Sequence, residues 1–456
     1  MNQNPTKAWV CPICGYVHYG SEPPDECPIC GAGGGAFTPE TVEEQPAVQP
    51  APVQTAGKII IVGAGVAGVS AAEAARRAAP TADIWLISNE IDLPYYRLNL
   101  TRYLMGDIGA DQLDLHPASW YASSRIHLLR GVELTGIDLE GKAISLDDGS
   151  RVAFDRLVLT TGARPFVPPV PGAGLPGVWT LRTRRDAESI LAAVRGEYLG
   201  KPVVCIGGGL LGLETAGALA RQGVHVTVLE NQAWLMPRQL NQAAARVFQA
   251  YVEKLGIHIR NNAKVRALMG VNAVESVALE DGTSLPAGMV IFSAGVRANT
   301  ALATQAGLAV QQGIVVDDAL CTSHPDVFAA GDAAEHAGTL YGTWAPALAQ
   351  GAVAGASAAG QPAAFQALPR AHTLKVLGID LFSTGRIAPA ADDVMIEAAR
   401  EDGYTGFLFQ GSILVGAILL GDAFGSGVVK KAVESRQDCT ALLAKQPAAG
   451  DIPGLL

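Results

Sequence analysis

The main body of the chain opens with a run of β-branched residues, KIIIV at 58–62, which gives way at Gly63 to an alanine-rich stretch with apolar positions at helical spacing. A buried strand leading into a helix is expected. The alternation then recurs: ADIWLISNE (82–90) reads as a second strand, FDRLVLTTG (154–162) as another, and KPVVCIGGGLLGLETAGALARQGVHVTVLE (201–230) as strand, turn, helix and strand. CTSHPDVFAAGDAAE (321–335) reads as a returning strand, and TWAPALAQGAVAGASAAG (343–360) as a helix of small residues. From about Arg370 the pattern changes to LKVLGIDLFSTGRI, FLFQG and ILVGAILLGD, strands in succession, followed by one helix, VVKKAVESRQDCTALLA. An α/β body with parallel sheets covered on both faces, closed by an α+β domain, is the predicted architecture.

Composition narrows the partners. Of the 456 residues, 49% are hydrophobic and the formal charge is −10, which argues against nucleic acid or an anionic membrane. The most apolar stretch, 406–421, is interrupted by Gln410 and several glycines and ended by Asp422, so it predicts strands and no membrane span. The N-terminus lacks a charged head followed by an apolar core, so a cytoplasmic location is expected. In that compartment seven cysteines do not form a disulfide framework.

Four of the cysteines are grouped. Cys11-Pro-Ile-Cys14-Gly and Cys27-Pro-Ile-Cys30-Gly are two turns whose thiolates can surround one ion tetrahedrally, a set that suits zinc or iron. A Pro- and Glu-rich linker at 39–56 separates this module, 1–38, from the rest.

Two glycine fingerprints carry the body. Gly63, Gly65 and Gly68 stand between the first strand and its helix, where one glycine allows the turn, the second lets a pyrophosphate approach and the third lets helix and strand close together. Gly207, Gly209 and Gly212 repeat the device, with Glu230 ending the next strand. A carboxylate there takes both ribose hydroxyls and repels a 2′-phosphate, and no arginine follows at 231–233, so NADH is favoured over NADPH. Glu90 is the matching candidate in the first unit.

The segment Trp9–Gly31 resembles the short-loop rubredoxin domain of rubrerythrins, which implies one iron on Cys11, Cys14, Cys27 and Cys30 serving as a one-electron carrier; a structural zinc ribbon remains the alternative. Residues 58–456 resemble the two-dinucleotide flavoproteins of the pyridine nucleotide-disulfide oxidoreductase superfamily, in the branch of NADH:rubredoxin reductases and nitrite reductase flavoproteins. The likeness rests on LPYYRLNLTRYL, TTGARP, AAGDA, LMPRQLN, LKVLGIDLFSTGR and GAILLGD. It implies FAD on the first fingerprint, with Gly63, Gly65, Gly68, Glu90, Arg97, Thr161, Gly162, Arg164, Gly331 and Asp332 around it, and NADH on Gly207, Gly209, Gly212 and Glu230. The NADH domain (183–295) is then inserted between two parts of the FAD domain (57–182 and 296–369), and 370–456 is an interface domain, often dimeric in the family.

Some departures matter. No cysteine lies between Cys30 and Cys205, so a peroxide or disulfide reductase lacks its nucleophile. Cys205 and Cys321 read as buried hydrophobes, and none of the eight histidines has a partner at ligand or triad spacing. Arg102 and Arg185 stand where some relatives pair a lysine with a glutamate beside the flavin. No catalytic acid or base is assigned. The expected activity is electron transfer from NADH through FAD to the chain's own iron and on to an external redox protein, of which rubrerythrins and flavodiiron proteins are examples. The rivals are an NADH oxidase or nitrite-reductase-type flavoprotein with a structural zinc ribbon, and an NADH-responsive redox sensor or scaffold.

Overall fold

The computed structural model describes residues 8–11, 16–25, 27–28, 34, 37–40, 57–366, 371–423 and 425–456, with Tyr19, Thr38, Glu40 and 371–376 described by backbone only. Cys14, Cys30 and the linker 41–56 lie outside the described residues.

Three short strands, β1 (Ala8–Val10), β2 (Val17–Tyr19) and β3 (Thr38–Glu40), form an antiparallel sheet in the order β2-β1-β3. Glu40 pairs with Ala8, so this sheet runs two residues past the expected end of the module at 38.

The first nucleotide unit follows the predicted alternation: β4 (Lys58–Val62), α1 (Val66–Ala78), β5 (Asp83–Ser88), α2 (Leu100–Met105), α3 (Ala118–Ser123) and β6 (Ile126–Arg130). An antiparallel excursion, β7 (Leu134–Asp138), β8 (Ala143–Leu146) and β9 (Arg151–Ala153), precedes the returning β10 (Arg156–Leu159). The chain leaves through β11 (Ala163–Pro165) and builds a second unit: β12 (Val178–Thr180), α4 (Arg184–Arg195), β13 (Val203–Ile206), α5 (Leu210–Arg221), β14 (Val226–Leu229), α6 (Gln242–Lys254) and β15 (His258–Arg260). Its own excursion is β16 (Val265–Met269), β17 (Ser276–Leu279) and β18 (Ser284–Pro286), and β19 (Met289–Phe292) returns. β20 (Val296–Ala298) pairs with β11 and carries the chain back to α7 (Ala301–Gln305), β21 (Ile314–Val316), β22 (Val327–Ala329), β23 (Ala334–His336) and α8 (Trp344–Ala358).

The two units are the same object built twice. Their parallel sheets run β22-β10-β4-β5-β6 and β12-β19-β13-β14-β15, so each fingerprint strand sits third, at the centre. Ile59, Ile60 and Ile61 of β4 and Val203, Val204 and Cys205 of β13 are almost wholly buried, as a central parallel strand demands. Because β22 joins the first sheet after the second unit is complete, the second is inserted in the first. β12 already pairs with β19, so the second sheet begins before the expected boundary at 183; the strand-prone Val178, Trp179 and Thr180, freed from the turn by Gly177, belong to it.

The C-terminal domain is a five-stranded antiparallel sheet, β24 (Ala371–Val376), β25 (Ile379–Gly385), β26 (Asp393–Arg400), β27 (Gly403–Gln410) and β28 (Ile413–Gly421), in the order β24-β25-β28-β27-β26. The apolar stretch 406–421 is the β27–β28 hairpin, as expected, and among the described residues no helix is long and apolar enough to cross a membrane. The terminal helix is corrected to two, α9 (Ser426–Glu434) and α10 (Thr440–Leu443). Arg436 turns the chain at positive φ, and the Asp438 carboxylate accepts from the Thr440 N–H and hydroxyl, opening a new helix there. Asn241 before α6 donates to the Tyr404 hydroxyl, which in turn donates to Glu397, fastening this domain to the second unit.

Candidate functional site

Register brings the first set of motifs together. Val62, Leu159 and Ala329 are aligned partners at the ends of β4, β10 and β22, so Gly63, Thr160–Gly162 and Gly331–Asp332 all emerge at one edge of the first sheet. The Thr160 hydroxyl ties two of these exits together through the Val62 and Gly63 carbonyls, at 2.9 and 2.7 Å.

The three fingerprint glycines divide the work as their spacing predicts. Gly63 has φ +107°, and a Cβ there would lie 2.1 Å from the Thr160 carbonyl oxygen; at Gly68 it would lie 1.8 Å from the Gly63 carbonyl oxygen. A Cβ on Gly65 would meet nothing within 4 Å. The open position lies at the head of α1, where Gly65 supplies no side-chain cap and the first-turn N–H groups remain for an anion. The second unit repeats this in detail: Gly207 (φ +118°) abuts Ser293, Gly212 abuts Gly207, and Gly209 is open at the head of α5. These cradles fit dinucleotide pyrophosphates.

Helix α8 packs parallel to α1 at backbone contact. A Cβ on Gly351 would stand 2.2 Å from the Ala67 carbonyl oxygen, and one on Gly355 2.1 Å from that of Ala71. With Gly351 opposite Ala67, α8 begins six residues, or about 9 Å, beyond the start of α1. The N-terminal end of α8 therefore overhangs the cradle, with Trp344 in its first turn. A helix start there favours electron-rich groups.

Charged residues rim the same edge. Glu90 and Arg97 form an ion pair at 2.5 Å, Tyr95 donates to the other Glu90 oxygen at 2.7 Å, and Arg97 also donates to Tyr95 at 2.8 Å and to the Arg182 carbonyl. Burial opposes the charge on Arg97, yet Tyr95, Glu90 and Asp332 outweigh it and hold the guanidinium pKa above its ordinary value. Glu90 is thus the counter-ion of Arg97 at this edge. Asp332 meets Arg182 at 3.0 Å, and the Gly331 N–H donates to buried Gln350 on α8. The Thr161 hydroxyl donates to the Asn299 carbonyl, and Asn299 returns a bond to Thr161. Arg164 is exposed on β11 and directed at Ala298 and Asn299, so its assignment to the cofactor rests on the motif alone.

At the second cradle, Glu230 is buried and fixed by the N–H groups of Gly208 and Gln232, both at 2.8 Å. It stands at the strand end, beside the glycine turn, as ribose recognition requires. Glu214, one turn into α5, went unrecognised in the sequence. Burial pushes its pKa up to about 7, against the lowering hydrogen bond from the Thr101 hydroxyl of α2 at 3.0 Å. The expectation that Arg185 replaces the family's glutamate is therefore corrected: α2 packs on α5, and the carboxylate facing it is Glu214. Its signal was a lone acid on an otherwise apolar helix. Cys205 is inert, with burial pushing its thiol up to about 12; Cys321 is only partly buried, in contrast to expectation, and its thiol is also raised by burial.

The N-terminal module lies against this edge. Cys11 and Cys27 are wholly buried and share one apolar cluster with Phe37, and the rings packed on that cluster include Tyr96 and Trp344 of the body. Tyr96 and Trp344 stack, with centroids 5.3 Å apart. The Asn99 side chain donates to the carbonyl of Pro28, the residue after Cys27, at 2.7 Å. Two buried thiols in an apolar setting fit half of a four-cysteine metal site; the other two, Cys14 and Cys30, lie outside the described residues. Tyr96, Asn99 and Trp344 carried no signal of this contact, because it joins segments far apart in sequence.

Three family models match the chain: "Pyridine nucleotide-disulphide oxidoreductase" over residues 57–356, "Rubrerythrin, rubredoxin-like domain" over 9–38 and "Rubredoxin NAD+ reductase C-terminal domain" over 371–437. Among curated proteins, the nitrite reductase [NAD(P)H] of Bacillus subtilis is 34% identical over 80% of this chain and 46% of its own length. The assimilatory nitrate reductase electron transfer subunit of that organism matches over 80% and 48%, so the chain spans about half the length of these relatives. The rubredoxin-NAD(+) reductase of Ectopseudomonas oleovorans is 35% identical over 62% of this chain and 74% of its own. Among solved structures, the NADH:rubredoxin oxidoreductase of Clostridium acetobutylicum superposes with a TM-score of 0.74 at 28% identity, covering 88% of this chain and 99% of that one.

Proposed function

The chain belongs to the pyridine nucleotide-disulphide oxidoreductase family, and from that premise we propose that it is an FAD-dependent NADH oxidoreductase that passes electrons to its own four-cysteine iron and from there to an external redox protein. FAD is assigned to the cradle of Gly63, Gly65 and Gly68, with Thr161, Gly162, Arg164, Gly331 and Asp332 beside it, and NADH to that of Gly207, Gly209 and Gly212 with Glu230. Cys11, Cys14, Cys27 and Cys30 hold the iron, and the protein works in the cytoplasm. When bound, the flavin converts the electron pair of a hydride into single electrons and the iron carries them one at a time.

The protein's own residues orient and shield. Glu90 and Tyr95 hold Arg97 in place at the first cradle. Trp344 heads the helix that overhangs that cradle and belongs to the same apolar cluster as Cys11 and Cys27. This last observation carries the proposal, because an internal carrier has to stand beside the first cradle, and Tyr96 and Trp344 join that edge to the cluster of Cys11 and Cys27. It also weighs against a zinc ribbon that merely braces the fold, since a brace has no need of the flavin edge.

Anaerobic titration of the iron-loaded protein with NADH, followed by visible absorbance, tests it. Bleaching of both flavin and iron–thiolate bands is expected; flavin bleaching with the iron band unchanged sinks the internal relay. Cys27→Ser should abolish delivery to a protein acceptor while flavin reduction by NADH continues.

A further inference from the structure

We infer that the face formed by Tyr96, Asn99 and Trp344 is a dedicated dock for the chain's own metal module, and that Asn99 is the positioning residue that keys the second cysteine turn to it. The inference rests on the relay proposed above and adds the surface across which it operates.

Asn99 is only 3% exposed. It ends the short helical turn Arg97–Asn99, whose N–H to Tyr96 carbonyl bond (2.8 Å) makes Tyr96 and Asn99 parts of one rigid turn. The aromatic half of the dock and its polar half are therefore set by the same backbone. The Pro28 carbonyl can only accept, so the amide nitrogen of Asn99 must face it, and a residue without a hydrogen-bond donor cannot replace it. That places a directional bond one residue from Cys27, while the stacked Tyr96 and Trp344 rings meet the apolar cluster around Cys11, Cys27 and Phe37. Aromatic contact alone tolerates sliding; one partly buried, directional hydrogen bond to the backbone of the ligand turn does not. Asn99 Oδ1 has no partner among the described residues, and the hydrogen bond this side chain makes there is the one its amide nitrogen gives to Pro28.

The stoichiometry requires such a dock to be reused: NADH and two oxidised carriers give NAD⁺, one proton and two reduced carriers, so a one-electron module must collect at this face twice for each NADH.

The test uses the full chain in two metal forms. In the zinc-loaded form the module is folded and carries no electron, so hydrogen exchange reports docking alone. Asn99→Leu removes the donor and leaves the partly buried Pro28 carbonyl unpaired; protection of backbone amides in 94–105 and 343–350 is expected to fall about tenfold. Asn99→Asp sets a carboxylate against that carbonyl, and the fall is expected to be larger, on the order of a hundredfold. In the iron-loaded form, single-turnover iron reduction after NADH mixing should slow in the same order, wild type, Leu, Asp. Should the Asp variant fail to retain flavin, the Leu variant decides. Unchanged protection in the Leu variant overturns the dock. Lost protection with unchanged iron reduction overturns the claim that electrons cross this face. An iron that NADH never reduces in the wild type, while the zinc-form exchange behaves as expected, refutes the relay and leaves the dock standing.

Discussion

Gly65 and Gly68 are three residues apart, share one motif and answer to different forces. A methyl group on Gly68 would overlap the Gly63 carbonyl, whereas one on Gly65 enters open space at an extended backbone that any residue adopts. Gly68→Ala is therefore a folding lesion, expected to remove roughly 1–3 kcal/mol and several degrees of Tm whether or not flavin is present. Gly65→Ala should leave the Tm of the flavin-free protein within about a degree and weaken FAD retention on the order of tenfold, because its methyl occupies the space reserved for the pyrophosphate. Thermal melts with and without flavin, together with flavin content after dialysis, separate the two. An equal loss of Tm in both variants would show that Gly65 serves packing. This division was legible in the sequence, since strand-Gly-x-Gly-x-x-Gly-helix states its own geometry. The partners of single side chains were not. The place of Glu90 just beyond its strand is visible in the sequence, while the Arg97 and Tyr95 that contact it are brought back by a loop whose path no periodicity encodes.

Between elements, the informative contact is that of α2 with α5. Thr101 and Glu214 meet across it, and burial raises the carboxyl pKa from the usual carboxylate range to about 7. A folded state that binds this proton more tightly than the unfolded chain has its full stability from the group below about pH 4.5 and loses it as pH rises to about 7. Glu214→Gln abolishes that dependence. Relative to wild type, the variant should gain stability between pH 5 and pH 7 and level off above that, by at most about 3 kcal/mol for the whole shift, read as a rising and then constant Tm difference. A Tm difference that stays flat over this range would mean that the carboxyl is already ionised at pH 5. Element-level prediction from the chain succeeded where each element carries its own signal: β4, β13, α5 and α8 all stand where their patterns put them. It failed where an element's identity is settled by its neighbour. β12 is three residues long and exists because β19 offers an edge, and β26 is held by β27. The break between α9 and α10 follows from an arginine at positive φ that helix propensity does not disclose.

At the scale of the molecule, two nucleotide units of the same topology are joined to a small rubredoxin-like module, and the module is the part with the smallest core of its own. Its described core is Cys11, Cys27 and Phe37, far too little apolar surface to hold a sheet of three short strands. A metal held by the four cysteines, as proposed, would supply most of that folding energy, and its removal is then expected to act as a selective denaturant. Chelation under reducing conditions should melt the β1–β3 sheet and expose the Tyr96 and Trp344 rings to water, red-shifting tryptophan emission, while the body keeps its flavin. NADH-driven reduction of ferricyanide, a small acceptor able to meet the flavin directly, should then persist within about twofold. On the proposed relay, reduction of a protein acceptor should fall on the order of tenfold or more, since a tethered carrier at millimolar effective concentration would be lost. Restoring iron should recover both emission and protein reduction; restoring zinc should recover the emission alone, because zinc refolds the module without carrying an electron. If zinc also restores delivery to the protein acceptor, electrons leave the flavin by a route that bypasses the four cysteines, and the module serves as a docking surface only.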